Sequence, residues 1–348
     1  MTTSPEPPAG RASSVPADAA SISVVVPTFN DVGRIGDALT SIVGQTLPPG
    51  EIVVADDGSQ DATEQFVHDF AARQAGGVAI HYVRLPGHSG VVAARNAGIA
   101  AARGEWIAEC DSDDVWAPTK LERQLEFLRA WSGSRRIALL GTHGHNMNDA
   151  KKVVSPAVMG PTSEADYDSV RQTGGIFYVI HSSVLFARSD FDAVGGYSTD
   201  YGAADEFDFF CRMADQGVVI NLPEPLVYYR KRAGSMQLDS FWDKQQGAWR
   251  VAENQRRRVA GRDPIGPEEF AAQLASAPAW ERFTRAKNVW GMYYYRVGAT
   301  DMVNGRRLRG GWELLLASLL DGARLRAGVR NAVRARRSRV ARSQGAGA

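Results

Sequence analysis

The sequence predicts an α/β fold with a mostly parallel sheet flanked by helices, followed by a helical C-terminal portion. Three observations carry that expectation. Short apolar runs alternate with amphipathic segments from Ser21 onward, polar residues gather where those runs end, and the pattern beyond about Ser240 is helical throughout.

Taken in order, "ISVVVP" (Ile22–Pro27), "EIVVAD" (Glu51–Asp56), "VAIHYV" (Val78–Val83) and "EWIAEC" (Glu105–Cys110) are expected strands. Each is short and rich in Val or Ile, and turn-forming residues bound it. Between them, Arg34–Gln45, Asp61–Gln74 and Ser89–Arg103 place apolar residues at helical spacing. Strand, helix, strand in this order implies right-handed crossovers and a parallel sheet covered on both faces. The alternation weakens after Asn146, and residues 146–174 read as a polar loop. "GIFYVIHSSVLFAR" reads as one or two strands, "SDFDAVGGY" as a short helix and turn, Ala204–Gly217 as a helix and "VVINLPEPLVYYR" as a strand. In the helical portion Trp242, Trp249, Trp280, Trp290 and Trp312 are expected packing anchors.

With 44% hydrophobic and 23% charged residues, the 348-residue chain has the composition of a soluble globular protein. A formal net charge of +1 argues against general nucleic-acid binding. Cys110 and Cys211 each sit in an apolar run, so no disulfide framework is expected and a reducing cytoplasm is the natural compartment. Residues 1–20 are rich in Pro, Ala and Ser and read as a disordered lead-in without the apolar core of a signal peptide. No apolar run reaches the ~18–20 residues that span a bilayer. Residues 21–235 then form the expected catalytic domain, 236–322 a helical region and 323–348 a basic tail. From Arg324 to Arg342 that tail has eight arginines and no acid, which reads either as a solvated end or as a peripheral contact with the inner face of the cell membrane.

Strand ends in a parallel sheet present ligand-binding chemistry, and here they carry "PTFND", "DDGS" and "DSDD". Asp56 and Asp57 are adjacent, so their side chains point to opposite sides and one of them faces the cleft. Asp111 and Asp113 are two apart and share a face when extended, a costly arrangement unless a hard cation lies between them. Mg²⁺ or Mn²⁺ takes one or two carboxylates and completes its shell with water and phosphate oxygens, which makes a diphosphate a suitable ligand. Asp114 is expected to cap the helix starting near Pro118. Asp205, Glu206 and Asp208 form a third acidic group, read either as a helix N-terminus or as the source of a general base. His143 and His145 form H-x-H on an expected loop, a spacing more often incidental than metal-binding.

Together, "VVVPTFND", "EIVVADDGSQDAT", "HSGVVAARNAGIAAARGEWIAECDSDDVW" and "GGYSTDYGAADEFDFFCRM" resemble the family-2 glycosyltransferases, over roughly residues 21–235 and in the family's order. The resemblance implies a GT-A type fold with a Rossmann-like sheet. It also implies transfer of a sugar from a nucleotide-diphosphate donor, UDP-linked, to an acceptor hydroxyl with inversion, in cell-envelope polysaccharide or glycoconjugate synthesis. Carried onto this chain, it places Pro27, Thr28, Asn30 and Asp57 at the nucleotide and Arg95 near the nucleotide-sugar. Asp113 becomes the metal-proximal acid and Asp111 its ribose- or metal-side companion, with Mn²⁺ or Mg²⁺ as cofactor. The family's Glu-Asp pair is reversed here as Asp205-Glu206, so register points to Glu206 as catalytic base and residue type to Asp205. A His expected two positions after Arg230 is replaced by Arg232, which cannot ligate a metal but can bind phosphate, alone or with Arg230 and Lys231. Two other readings stand beside this one. A nucleotidyltransferase is disfavoured because "PTFNDVGRIG" is no glycine-rich triphosphate loop. A catalytically silent sugar-nucleotide-binding protein is kept open by the reversed pair and the missing His.

Overall fold

Val24–Val26 and Ile52–Val54 are wholly buried, because a strand covered by helices on both faces has no solvent side to give polar residues. They lie at the centre of the parallel half of the sheet in a computed structural model that describes residues 16, 18–74, 76–231 and 241–320. Arg232 and the basic tail fall outside the described residues.

The parallel half is assembled from β1 (Ile22–Thr28), α1 (Ile35–Val43), β2 (Glu51–Asp56), α2 (Thr63–Arg73), β3 (Ala79–Arg84), α3 (Val91–Ala101) and β4 (Trp106–Glu109). Its strand order is β3-β2-β1-β4, all parallel, in agreement with the alternation in the sequence. β3 is the edge strand and is half-exposed.

The second half is mixed. After β5 (Val115–Trp116) and α4 (Lys120–Ala130) comes the long strand β6 (Ile137–Met147). Residues 146–174, expected as loop, instead contain β7 (Val153–Ala157), which pairs antiparallel with β6, and α5 (Glu164–Gln172). Ser163 caps α5 through its hydroxyl, and Tyr167 with the half-buried Val170 anchors it to the core, too few apolar positions to give a helical period in the sequence. β8 (Leu185–Ala187) is antiparallel to both β4 and β6, and α6 (Arg188–Ala193) and α7 (Asp205–Met213) precede β9 (Val218–Arg230). β9 runs parallel to β6 and antiparallel to β5, which extends the sheet as β4-β8-β6-β9-β5.

The helical portion consists of α8 (Phe241–Val259), α9 (Pro267–Ser276), α10 (Ala279–Val303) and α11 (Arg307–Leu320). Contacts divide the chain into two units, Met1–Arg230 with Gly247–Pro264, and Lys231–Gln246 with Ile265–Ala348. Within the second unit Trp242 and Tyr293 pack edge to face on Phe241, and Trp290 packs edge to face on both Trp242 and Tyr293. Trp280 and Trp312 are exposed rather than packed, contrary to their expected role as anchors.

Candidate active site

At the ends of β1 and β2 the two adjacent aspartates are both spent on loops. Asp56 is wholly buried and accepts the Ser59 N–H at 2.9 Å and the Ser59 hydroxyl at 2.6 Å, together with the Tyr82 hydroxyl. The turn they close requires glycine at 58. Its φ is +81°, and a Cβ there would lie 2.9 Å from the Gly87 carbonyl carbon. Asp57 faces the other way, as adjacent strand residues must. It accepts the N–H groups of Ser89 at 2.7 Å and Gly90 at 2.8 Å, at the start of α3, and lies 2.7 Å from His88 Nδ1. This brings His88 onto Phe29, with ring centroids 4.0 Å apart and planes 21° apart, and both rings are exposed. Pro27 sits in the β1 ladder opposite Ala55, and the buried Thr28 hydroxyl has no hydrogen-bond partner. Asn30, at φ +49°, accepts the Gln60 N–H at 2.8 Å and so ties the first loop to the second.

The acidic loop after β4 is pinned from three directions. The Ser112 hydroxyl donates to Asp31 at 2.7 Å, and Asp111 N–H donates to Ser182 Oγ at 3.1 Å. Asp114 is fully buried and accepts the Ser182 hydroxyl and the Arg230 N–H. It does not cap α4, whose N-cap Thr119 makes no side-chain bond; it anchors the loop instead. Burial first, then the neighbouring Asp113 and Asp111 charges, push its carboxyl well above the usual range, so it yields its charge most readily. Arg230 Nε donates to the Asp113 carbonyl at 2.7 Å, and its remaining nitrogens reach Asn148, Asp149 and Asp37. Arg230 therefore braces the loop from inside the protein. Asp111 and Asp113 stay half-buried.

Arg95, buried on α3, joins this loop to α7. Its Nη1 donates to Asp205 at 2.9 Å, its Nη2 to Asp111 at 3.2 Å, and its Nε is 3.7 Å from Glu109. Burial alone would lower the basicity of Arg95, but the charges of Asp111, Asp205 and Glu109 hold it above its ordinary value. Glu109 accepts the Tyr197 hydroxyl at 2.6 Å, and that hydroxyl lies 2.9 Å from His181 Nε2. Burial pushes the Glu109 carboxyl up to about 7.

Glu206 follows Asp205 in the first turn of α7 and is half-buried. Tyr229 on β9 relates it to the acidic loop. Burial raises the Tyr229 phenol well above its usual range, followed by the carboxylates of Asp114, Glu206, Asp111 and Asp113. One phenol thus feels both acidic segments. Asp208 is not part of this group: Arg212 holds it at 2.7 Å and Arg258 at 3.6 Å. His143 and His145 lie on strand β6 rather than a loop, where His145 stacks on Tyr228. Cys110 and Cys211 are buried free thiols.

Sequence reading missed Glu109, His181, Tyr197, Tyr229 and the Phe29–His88 stack. Glu109 left a signal, an acid inside the apolar run "WIAEC", whereas the tyrosines look like ordinary core residues. Asp111 and Asp113 are half-buried and offer hard oxygen donors, which suits Mg²⁺ or Mn²⁺. Among the described residues no group of three or more His, Cys, Asp or Glu side chains forms a ready-made cage, so such a cation would take the rest of its shell from water and phosphate.

Residues 23–195 match the model of glycosyl transferase family 2. TuaG of Bacillus subtilis (strain 168), named a putative teichuronic acid biosynthesis glycosyltransferase, is 36% identical over 107 residues, 31% of this chain and 41% of that relative. The chain therefore spans less than half of TuaG. YwdF of the same strain, an uncharacterized glycosyltransferase, is 28% identical over 272 residues, 77% of this chain and 95% of the relative. Among solved structures, S. aureus TarS 1-349 in complex with UDP-GlcNAc superposes with a TM-score of 0.51 at 17% identity, covering 88% of this chain and 92% of that one. The mannosyltransferase PcManGT from Pyrobaculum calidifontis, in complex with GDP-Man and Mn2+, gives a TM-score of 0.50 at 21% identity, covering 86% of each. At such identities these likenesses establish the fold, a GT-A type sheet with a helical C-terminal region.

Proposed function

Because residues 23–195 make this chain a member of glycosyl transferase family 2, we propose that it is an inverting glycosyltransferase. It moves a hexosyl or N-acetylhexosaminyl group from a UDP-linked donor to an acceptor hydroxyl in cell-envelope polysaccharide synthesis. The observation that supports this most is the Arg95 bridge between Asp111 and Asp205, which gathers the two acidic segments around one buried cation. The UDP-GlcNAc complex of TarS and the name of TuaG support the donor and the pathway class.

Phe29 and His88 offer an exposed stacked pair for the nucleobase. Asp111 and Asp113 would hold Mn²⁺ or Mg²⁺, which when bound neutralises diphosphate charge and eases its departure. Arg95 fixes the Asp111 carboxylate in place and occupies that of Asp205. Glu206 then takes the proton of the acceptor hydroxyl. The hydroxyl oxygen bonds to the anomeric carbon as the bond to the diphosphate oxygen breaks, and a single displacement inverts the configuration. Alignment and charge placement supply the rate, with no covalent enzyme intermediate.

The test is incubation of purified protein with Mn²⁺, a panel of UDP-sugars and a panel of hydroxyl acceptors, with product configuration read by proton NMR. Inverted product is expected. Retained configuration overturns the mechanism, and calorimetric donor binding without transfer to any acceptor favours the silent binding protein.

A further inference from the structure

α11, the 14-residue helix Arg307–Leu320, carries Leu308, Trp312, Leu315 and Leu319 at steps of four, three and four residues. That spacing puts all four on one stripe. The stripe is in water, with Leu308 94%, Trp312 63%, Leu315 50% and Leu319 71% exposed. The opposite side, with Gly310, Glu313 and Ala317, is buried. There α11 packs on α10 so closely that a Cβ on Gly310 would lie 2.8 Å from the Gly298 carbonyl oxygen. The helix has thus satisfied one face and left a second apolar face uncovered. Single exposed leucines are ordinary, but four apolar side chains in register are a docking surface.

Charge selects the partner. The stripe holds no acid, and the exposed Arg307 opens the helix beside it, flanked by the exposed Arg306 and Arg309, which also pair with the buried Asp301 and, for Arg309, Glu313. The sequence that follows the helix adds eight arginines between positions 324 and 342 and no acid. A second copy of the chain would bring arginine against arginine, whereas an anionic surface complements both the charge and the apolar stripe. No described helix is long and apolar enough to cross a membrane, so a helix of this kind lies in the plane of the interface.

We propose that the outer face of α11 is a membrane-docking surface. Leu308, Trp312, Leu315 and Leu319 enter the boundary between headgroups and acyl chains of an anionic bilayer, and the exposed Arg307 at the start of the helix meets the headgroups. This goes beyond glycosyl transfer and does not depend on it, since the test contains no sugar nucleotide.

The full chain is sedimented with vesicles of phosphatidylglycerol and phosphatidylcholine, and in parallel with vesicles of phosphatidylcholine alone. Binding to the anionic vesicles, weakened by salt, is expected. The double variant Trp312→Glu/Leu315→Glu should lower that partitioning at least ~10-fold, since each change removes apolar burial from the interface. Should the double variant lose its helical circular dichroism, quenching by brominated lipid decides the matter, and wild type should be quenched more than Trp312→Phe. The proposal is overturned if wild type binds neither vesicle, or if the double variant binds as wild type does and arginine alone is the anchor. It is also overturned if the stripe variants only dissociate a dimer seen by light scattering and leave vesicle binding unchanged.

Discussion

On the proposed mechanism, Arg95 sets apart two neighbouring carboxylates, Asp205 and Glu206. Its guanidinium is 2.9 Å from Asp205, and that ion pair occupies the carboxylate. Glu206→Gln should lower kcat by ~10²–10⁴-fold and leave the donor Kd by calorimetry unchanged, as loss of a general base does. If Asp205→Asn produces that pattern instead, the assignment is reversed. Arg95→Met strands Asp111, Asp205 and Glu109 without their cation and should cost about 3–5 kcal/mol in urea unfolding. In the exposed Phe29–His88 stack, Phe29→Ala should weaken donor binding by about 1–3 kcal/mol, the usual worth of stacking a base on an aromatic ring, with kcat at saturating donor preserved. The clustering of the acids at strand and helix ends was legible in the sequence. Register alone favoured Glu206 over Asp205 as the base, whereas the contact of Arg95 with Asp205, 110 positions away in the chain, was not legible.

At the scale of elements, legibility followed hydrophobic pattern. β1 and β2 are continuous apolar runs buried on both faces, and their bounds could be read directly. β7 could not, because it is a half-exposed edge strand containing Pro156 whose only ladder partner is β6 among the described residues. The H-x-H pair was misplaced on a loop for a related reason. Strand β6 keeps its ladder with β9 through register shifts around His143, where alternation breaks down. The α10–α11 hairpin depends on a contact that sequence alone does not reveal, the meeting of Gly298 and Gly310. Gly310→Val should drive the helices apart and lower the thermal midpoint of the second unit, whereas Gly311→Ala, which meets nothing within 4 Å, should not. Equal effects of the two changes would show that the close approach does not hold the hairpin together.

For the whole molecule, strand–helix alternation forecast the parallel half of the sheet, while the mixed half depends on long-range pairing of β6 with β8 and β9 that no local pattern encodes. Burial in the first unit also sets a pH dependence of stability. Lys120 is wholly buried at the start of α4; its Nζ donates to Gln124 Oε1 at 2.9 Å and lies 3.8 Å from the centre of the Trp116 ring. Burial lowers its pKa from 10.5 to about 7. Below pH 7 the amine is charged in both folded and unfolded chains, and the full cost of burying that charge is present. Between about 7 and 10.5 the folded amine is neutral while the unfolded one still binds a proton, so stability rises with pH by up to about 1.4 kcal/mol per unit. Glu109 contributes the opposite slope in a separate window. Its pKa is raised from 4.5 to about 7, so stability falls as pH rises between those values. Lys120→Met keeps the packing volume and removes the charge, so urea unfolding of the variant should lose the rise above pH 7 and gain most stability below it. Parallel stability curves for variant and wild type from pH 7 to 10 would show that the lysine is not held neutral by the fold.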